Sequence, residues 1–111
     1  MEINISKEFS EVPWGRYYSD GKYSGQRFRE EFLKTNLEQF DQVAVNIDDV
    51  EGYGSSFLDE AFGGLVRKGY YNKDSLSKKL KIKCNDPYFK MYADLIWKYI
   101  NEAKFGSDKD D

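Results

Sequence analysis

Val43-Ala44-Val45-Asn46-Ile47-Asp48-Asp49-Val50-Glu51-Gly52-Tyr53-Gly54-Ser55-Ser56-Phe57-Leu58-Asp59-Glu60-Ala61-Phe62-Gly63-Gly64-Leu65 is the stretch that decides the fold. Its first five residues are short, apolar and rich in β-branched side chains, which reads as a strand buried on one or both faces. Asp48-Asp49 end that strand, and Gly52-Tyr53-Gly54 make a turn. Phe57, Leu58, Ala61, Phe62, Leu65 and Val66 then recur with helical spacing, and Gly69 is placed to close a helix over 56–68. A buried strand running through a tight turn into an amphipathic helix is one half of a strand–helix–strand unit.

Outward from this unit, the same signals repeat. Ile3, Ile5 and Phe9 alternate with polar residues and predict a first strand in 1–9, while Tyr17-Tyr18 is a candidate second strand before the Asp20-Gly21 turn. Ser24 is a good N-cap for a helix over 26–34, with Phe28, Phe32 and Leu33 as its apolar stripe. Downstream, Asn72–Ser77 reads as a polar loop, and Leu80-Lys81-Ile82-Lys83-Cys84 as an alternating strand with one lysine face. Asp86-Pro87 opens a last helix whose expected buried stripe is Tyr88, Tyr92, Leu95, Ile96 and Tyr99, with Trp97 on the flank. The order implies a small single α/β (α+β) domain over 1–104. It would carry a four- or five-stranded mixed sheet with about three helices packed on it, followed by an acidic flexible tail at 105–111.

Composition narrows the chemistry. The 111 residues include 8 Phe, 9 Tyr and 2 Trp, enough for a core, but no histidine. Imidazole bases, histidine-based triads and nearly all catalytic zinc sites are thereby excluded. The single Cys84 excludes an internal disulfide. No apolar run approaches the roughly 20 residues of a membrane helix, and no signal peptide precedes the first strand, so a cytoplasmic protein is expected. The net charge of −3 conceals segregation: residues 1–66 sum to −7, residues 67–90 to +6 and residues 91–111 to −2. The basic segment interleaves Lys68, Lys73, Lys78, Lys79, Lys81, Lys83 and Lys90 with Tyr70, Tyr71, Tyr88 and Phe89. That composition supports an alternative reading as a nucleic-acid-binding accessory protein. Asp48, Asp49, Glu51, Asp59 and Glu60 are the only grouping suited to a divalent cation, and nothing else completes such a site, so no catalytic residue, metal or cofactor is assigned.

The remaining chemistry lies at the start of the central helix. Ser56-x-x-Asp59 reads as a capping box, making Ser56 the expected cap and Ser55 the spare hydroxyl at a positively polarised helix end. Gly63-Gly64 inside the helix implies either close approach of the helix to the sheet or a surface on which a partner lies flat. Gly54-Ser55-Ser56-Phe57-Leu58-Asp59-Glu60-Ala61-Phe62-Gly63-Gly64-Leu65, with Gly15-Arg16 and Ser24-Gly25-x-x-Phe28 upstream, resembles the STAS-like domains of unknown function of bacteria and phages. These are similar to the sulphate-transporter and anti-sigma-factor-antagonist (STAS) fold. The resemblance implies a non-catalytic protein-interaction and regulatory domain, with a GHKL-type ATPase or kinase as partner. In the antagonists an Asp-Ser-Ser/Thr-Gly segment starts the helix, and its first hydroxyl residue is phosphorylated. By that resemblance Ser55 is the acceptor with Ser56 beside it, although Gly54 replaces the aspartate and Phe57 the glycine. Gly54, Asp59, Gly63, Gly64 and Arg16 would form the surrounding docking surface.

Overall fold

The computed structural model describes residues 1–108. Three short strands, β1 (Glu2–Asn4), β2 (Val43–Asn46) and β3 (Leu80–Lys83), form one sheet in the order β1-β2-β3. Both pairings are parallel, with Ile3 beside Val45 and Val45 beside Ile82. The sheet is therefore parallel and three-stranded, a correction to the mixed sheet of four or five strands. Five helices accompany it: α1 (Ile5–Glu8), α2 (residues 25–39), α3 (residues 55–67), α4 (Lys73–Lys79) and α5 (Lys90–Glu102). Ile3, Val43, Val45 and Leu80 are buried in the same core as Phe28, Leu37, Phe62 and Ile96 of the long helices. Glu2, Asn4, Ala44, Asn46, Lys81 and Lys83 take the alternate positions and stay at least partly solvated. The helices thus cover one face and leave the other open.

Each departure from the expected elements has a local cause. The first strand stops at Asn4 because its side chain caps α1, accepting from the Lys7 N–H at 3.2 Å. Tyr17-Tyr18 forms no strand: a 3-10 turn over Tyr18–Asp20 takes its place, with Asp20 Oδ2 accepting the N–H groups of Arg16 and Tyr17. The polar loop expected at 72–77 is α4, capped by Asn72, which accepts from the Ser75 N–H at 2.8 Å. Asn72 was legible as a cap, and Lys78 and Lys79 suit the C-terminal turn. Ser24 and Asp86 do cap as expected, on the N–H groups of Arg27 and Tyr88. In α5 the buried spine is Ala93, Ile96 and Ile100, continuing Phe89 of the preceding turn, whereas Tyr88 is exposed. At the start of the expected tail, the N–H groups of Gly106 and Asp108 bond to the carbonyls of Val66 and Arg67. The rest of that expected tail, residues 109–111, lies outside the described residues.

The contact between α2 and α3 positions everything else. Both helices contain a wide π-helical turn, at Arg29–Leu33 and at Asp59–Gly63. A Cβ on Gly25 would stand 2.5 Å from the Phe57 carbonyl oxygen, so the two backbones meet there. A little further along, Arg29, 1 % exposed, lies between the helices. Its Nη1 donates to the Glu60 carboxylate at 2.6 Å and to the Glu60 carbonyl at 2.7 Å, and its Nε to Glu30 at 2.8 Å. Gly64 makes room for that guanidinium, which a Cβ there would overlap.

Gly25→Ala is expected to destabilise the fold by about 1–3 kcal/mol through overpacking against backbone, whereas Gly54→Ala, with open space at its Cβ, stays close to wild type. Arg29→Met leaves the buried Glu60 without its closest partner and is expected to cost about 3–5 kcal/mol. Urea unfolding of the three variants checks this order.

Candidate functional site

A cleft of about 330 Å³ is lined by Trp14, Gly15, Arg16 and Asp20 on one side and Gly54, Ser55, Ser56 and Phe57 on the other. The first wall is a loop held in place by its own geometry. Gly15 has φ 92°, and a Cβ on it would meet the Asp20 side chain at 2.8 Å. The carbonyls of Gly15 and Arg16 accept the N–H groups of Gly25 and Gln26, so the loop is fastened to the first turn of α2. Trp14 projects from it with 65 % of its surface exposed.

The second wall is the start of α3. Gly54 occupies the N-cap position and offers no side chain, and the first intrahelical N–H bond there runs from Leu58 to the Gly54 carbonyl at 3.2 Å. The expected capping box is therefore absent. Ser55 and Ser56 are both exposed, and among the described residues neither hydroxyl has a hydrogen-bond partner. The N–H groups of Ser55, Ser56 and Phe57 precede the first intrahelical bond, and none has a partner among the described residues. α2 differs: its first N–H groups are taken by Gly15, Arg16 and Ser24.

Asp59 belongs to an ion-pair network instead of a cap. Arg16 Nη1 lies 2.9 Å from Asp59 Oδ2 and 3.1 Å from Glu60 Oε1, while Arg67 Nη1 lies 3.0 Å from Asp59 Oδ1. Through Glu60 the network continues to Arg29, Glu30 and the Tyr70 hydroxyl. Three arginines thus meet three carboxylates around α3. Gly63 and Gly64 lie buried beneath Arg67 and Arg29, so neither expected reason holds: their missing side chains make room for the two guanidiniums and not for the sheet, and they offer no face to a partner. The structure brings Arg16, Gly54, Ser55 and Ser56 to one cleft, with Asp59 behind Arg16, and takes Gly63 and Gly64 away from it. Trp14 is the residue that sequence reasoning missed; a tryptophan between Pro13 and Gly15 was the available signal.

The other groupings are spent locally. Asp48 accepts the N–H groups of Asn85 and Asp86, tying the end of β2 to the loop after β3. Among the described residues no three His, Cys, Asp or Glu side chains gather as metal ligands, and no helix is long and apolar enough to cross a membrane. In the basic segment, Tyr70 lies under Lys34 Nζ at 4.4 Å and Tyr71 under Lys79 Nζ at 5.8 Å. Phe89 is buried, which leaves Tyr88 as the exposed ring of that set.

The network has a pH signature. Burial acts to raise the Asp59 pKa, but hydrogen bonds and charge from Arg16 and Arg67 outweigh it and hold the group below its ordinary value of 3.8. A depressed carboxylate contributes stability above its unfolded-state pKa, and that contribution is lost as the pH falls through the folded one. Stability is therefore expected to fall from about pH 5 downward, and Asp59→Asn to be weaker near neutrality with a flatter acid limb. Thermal unfolding against pH measures both.

The matched family is described as a STAS-like domain of unknown function (DUF4325), and its profile covers residues 24–88. That span contains α2, β2, α3, α4 and β3, and hence Ser55, Ser56 and the Arg29–Glu60 contact, while Trp14 and Arg16 lie before it. No curated protein and no solved structure shows significant similarity to the chain. With the matched span containing more than half of the chain and the whole strand–turn–helix unit, the protein belongs to the STAS-like domain family.

Proposed function

We propose that this chain is a non-catalytic regulatory domain that docks a protein partner at the cleft between Trp14 and the start of α3, and that phosphorylation of Ser55 switches the docking. The observation carrying this reading is the pair of exposed, unpartnered hydroxyls of Ser55 and Ser56 on the cleft wall. Neither is needed to hold the helix, so both are available to a modifying enzyme. A phosphate on Ser55 would add about −1.5 to −2 charges. It would arrive where the α3 dipole is positive and first-turn N–H groups lack partners. Arg16, Asp59, Glu60 and Arg67 are matched against one another, which leaves them poorly placed for acid–base work. Trp14 supplies the large exposed side chain common at the centre of protein interfaces. A GHKL-type kinase is the partner class that the STAS-like family suggests.

Affinity capture from the native host, followed by phosphosite mapping, tests the proposal. A single protein partner is expected with wild type and with Ser55→Ala, and its loss with Ser55→Asp, with phosphate on Ser55 found in chain recovered without the partner. Trp14→Ala should weaken capture by about tenfold or more, the range of an interface anchor. Capture unaffected by Ser55→Asp, with Ser55 and Ser56 unmodified throughout, would refute the switch.

A further inference from the structure

A second surface lies away from the cleft, at the β3 edge of the sheet. The Lys83 carbonyl accepts from the Ile47 N–H at 3.0 Å. In a parallel ladder this turns the backbone groups of Lys81 and Lys83 toward β2 and those of Ile82 outward. Among the described residues no strand pairs with β3 on that side, and neither the Ile82 nor the Cys84 N–H has a partner. The edge opens onto a groove of about 380 Å³, with Ile82, Cys84, Ala93 and Trp97 among its walls. Lys81 and Lys83 project on the opposite face and are exposed; Lys83 Nζ pairs with Glu2 of β1 at 3.2 Å, whereas Lys81 has no ion-pair partner among the described residues.

We propose that the β3 edge receives an extended acidic segment of a partner protein as a fourth strand. Open edges recruit strands by main-chain hydrogen bonds, with alternate side chains setting specificity. Here the alternation is readable. On the solvated face the incoming strand meets Lys81, whose unpaired charge selects aspartate or glutamate beside it, and the aliphatic stem of Lys83, whose ammonium is turned to Glu2. On the other face its intervening side chains enter the groove beside Ile82, Ala93 and Trp97, which select aliphatic residues. The local charge agrees, because Lys78 at the end of α4 and Lys81 on β3 are exposed with no ion-pair partner among the described residues. The lysines blunt the edge against a second neutral or basic strand and leave it open to an acidic one.

The probe is a synthetic peptide of about eight residues, a common strand length, alternating glutamate and valine. It is titrated into the full chain carrying Trp14→Phe, so that Trp97 is the one indole and reports the groove. Saturable change in Trp97 emission is expected, with slowed hydrogen exchange at the Ile82 and Cys84 amides and none added at Lys83. Three losses are also expected: with the same peptide N-methylated at alternate amides, with a lysine–valine peptide, and by about tenfold at high salt. Lys81→Glu should reverse the charge preference. Equal binding of the N-methylated peptide would overturn strand addition, as would protection at Ser55 and Ser56 instead of Ile82. Preferential protection of the same amides by a single-stranded oligonucleotide, or edge-to-edge dimerisation of the chain alone in sedimentation, would assign the edge to a different occupant and refute the proposal.

Discussion

The buried ion pair between Arg29 and Glu60 is the constraint from which the rest of the arrangement follows. A guanidinium with 1 % of its surface exposed is tolerated only where acceptors surround it, and here two carboxylates and a carbonyl do so. Satisfying it requires α2 and α3 to lie close, which Gly25 and Gly64 permit. It also requires both charged residues to face inward from helices that are otherwise apolar on that side. The wide turns coincide with this demand: Arg29 opens one and Glu60 lies in the other. A π-helical turn accommodates an extra residue within the helix and changes the direction in which its side chains emerge.

Glu60 passes the constraint on to the cleft. Its second oxygen receives Arg16, whose loop is already fastened to α2 by the Gly15 and Arg16 carbonyls. The loop bearing Trp14 is thus held at both ends of one network, to α2 through backbone and to α3 through charge. The cleft it forms with Ser55 and Ser56 is consequently part of the folded framework. Ser55 and Ser56 stay exposed because capping at that end falls to Gly54, which has no side chain to offer.

Elements signalled by local chemistry were legible in the sequence. The strand of β-branched residues before Asp48, the caps at Ser24 and Asp86, and the glycine closing α3 all appear where their residue types place them. The misreadings share a different cause. Tyr17-Tyr18 has strand-forming composition, yet the adjacent Asp20 carboxylate collects the local N–H groups into a turn. Ser56-x-x-Asp59 has the spacing of a capping box, yet Asp59 is drawn away by arginines 43 and 8 positions distant in the chain. Arg29 and Glu60 read as solvated charges because periodicity treats every charge as exposed. Long-range ion pairing is what a single sequence does not display, and it accounts for the fate of Asp59 and for the burial of Gly63 and Gly64.

Charge segregation along the chain takes on a different meaning in the folded molecule. Arg67, the first cation of the basic segment, belongs to the arginine–carboxylate network, as do Glu30, Asp59 and Glu60 of the acidic one. These charges are matched against each other and contribute little to the outer field. What remains outside is unevenly spread: Lys73, Lys78, Lys81, Lys83 and Lys90 are all exposed on α4, β3 and the start of α5. The cleft, by contrast, presents an ion-paired arginine, backbone N–H groups, two hydroxyls and an indole. In the proposed reading, one surface would be altered by a charge placed upon it, and the other would attract a charge that a partner already carries. The two sets of lining residues have no member in common.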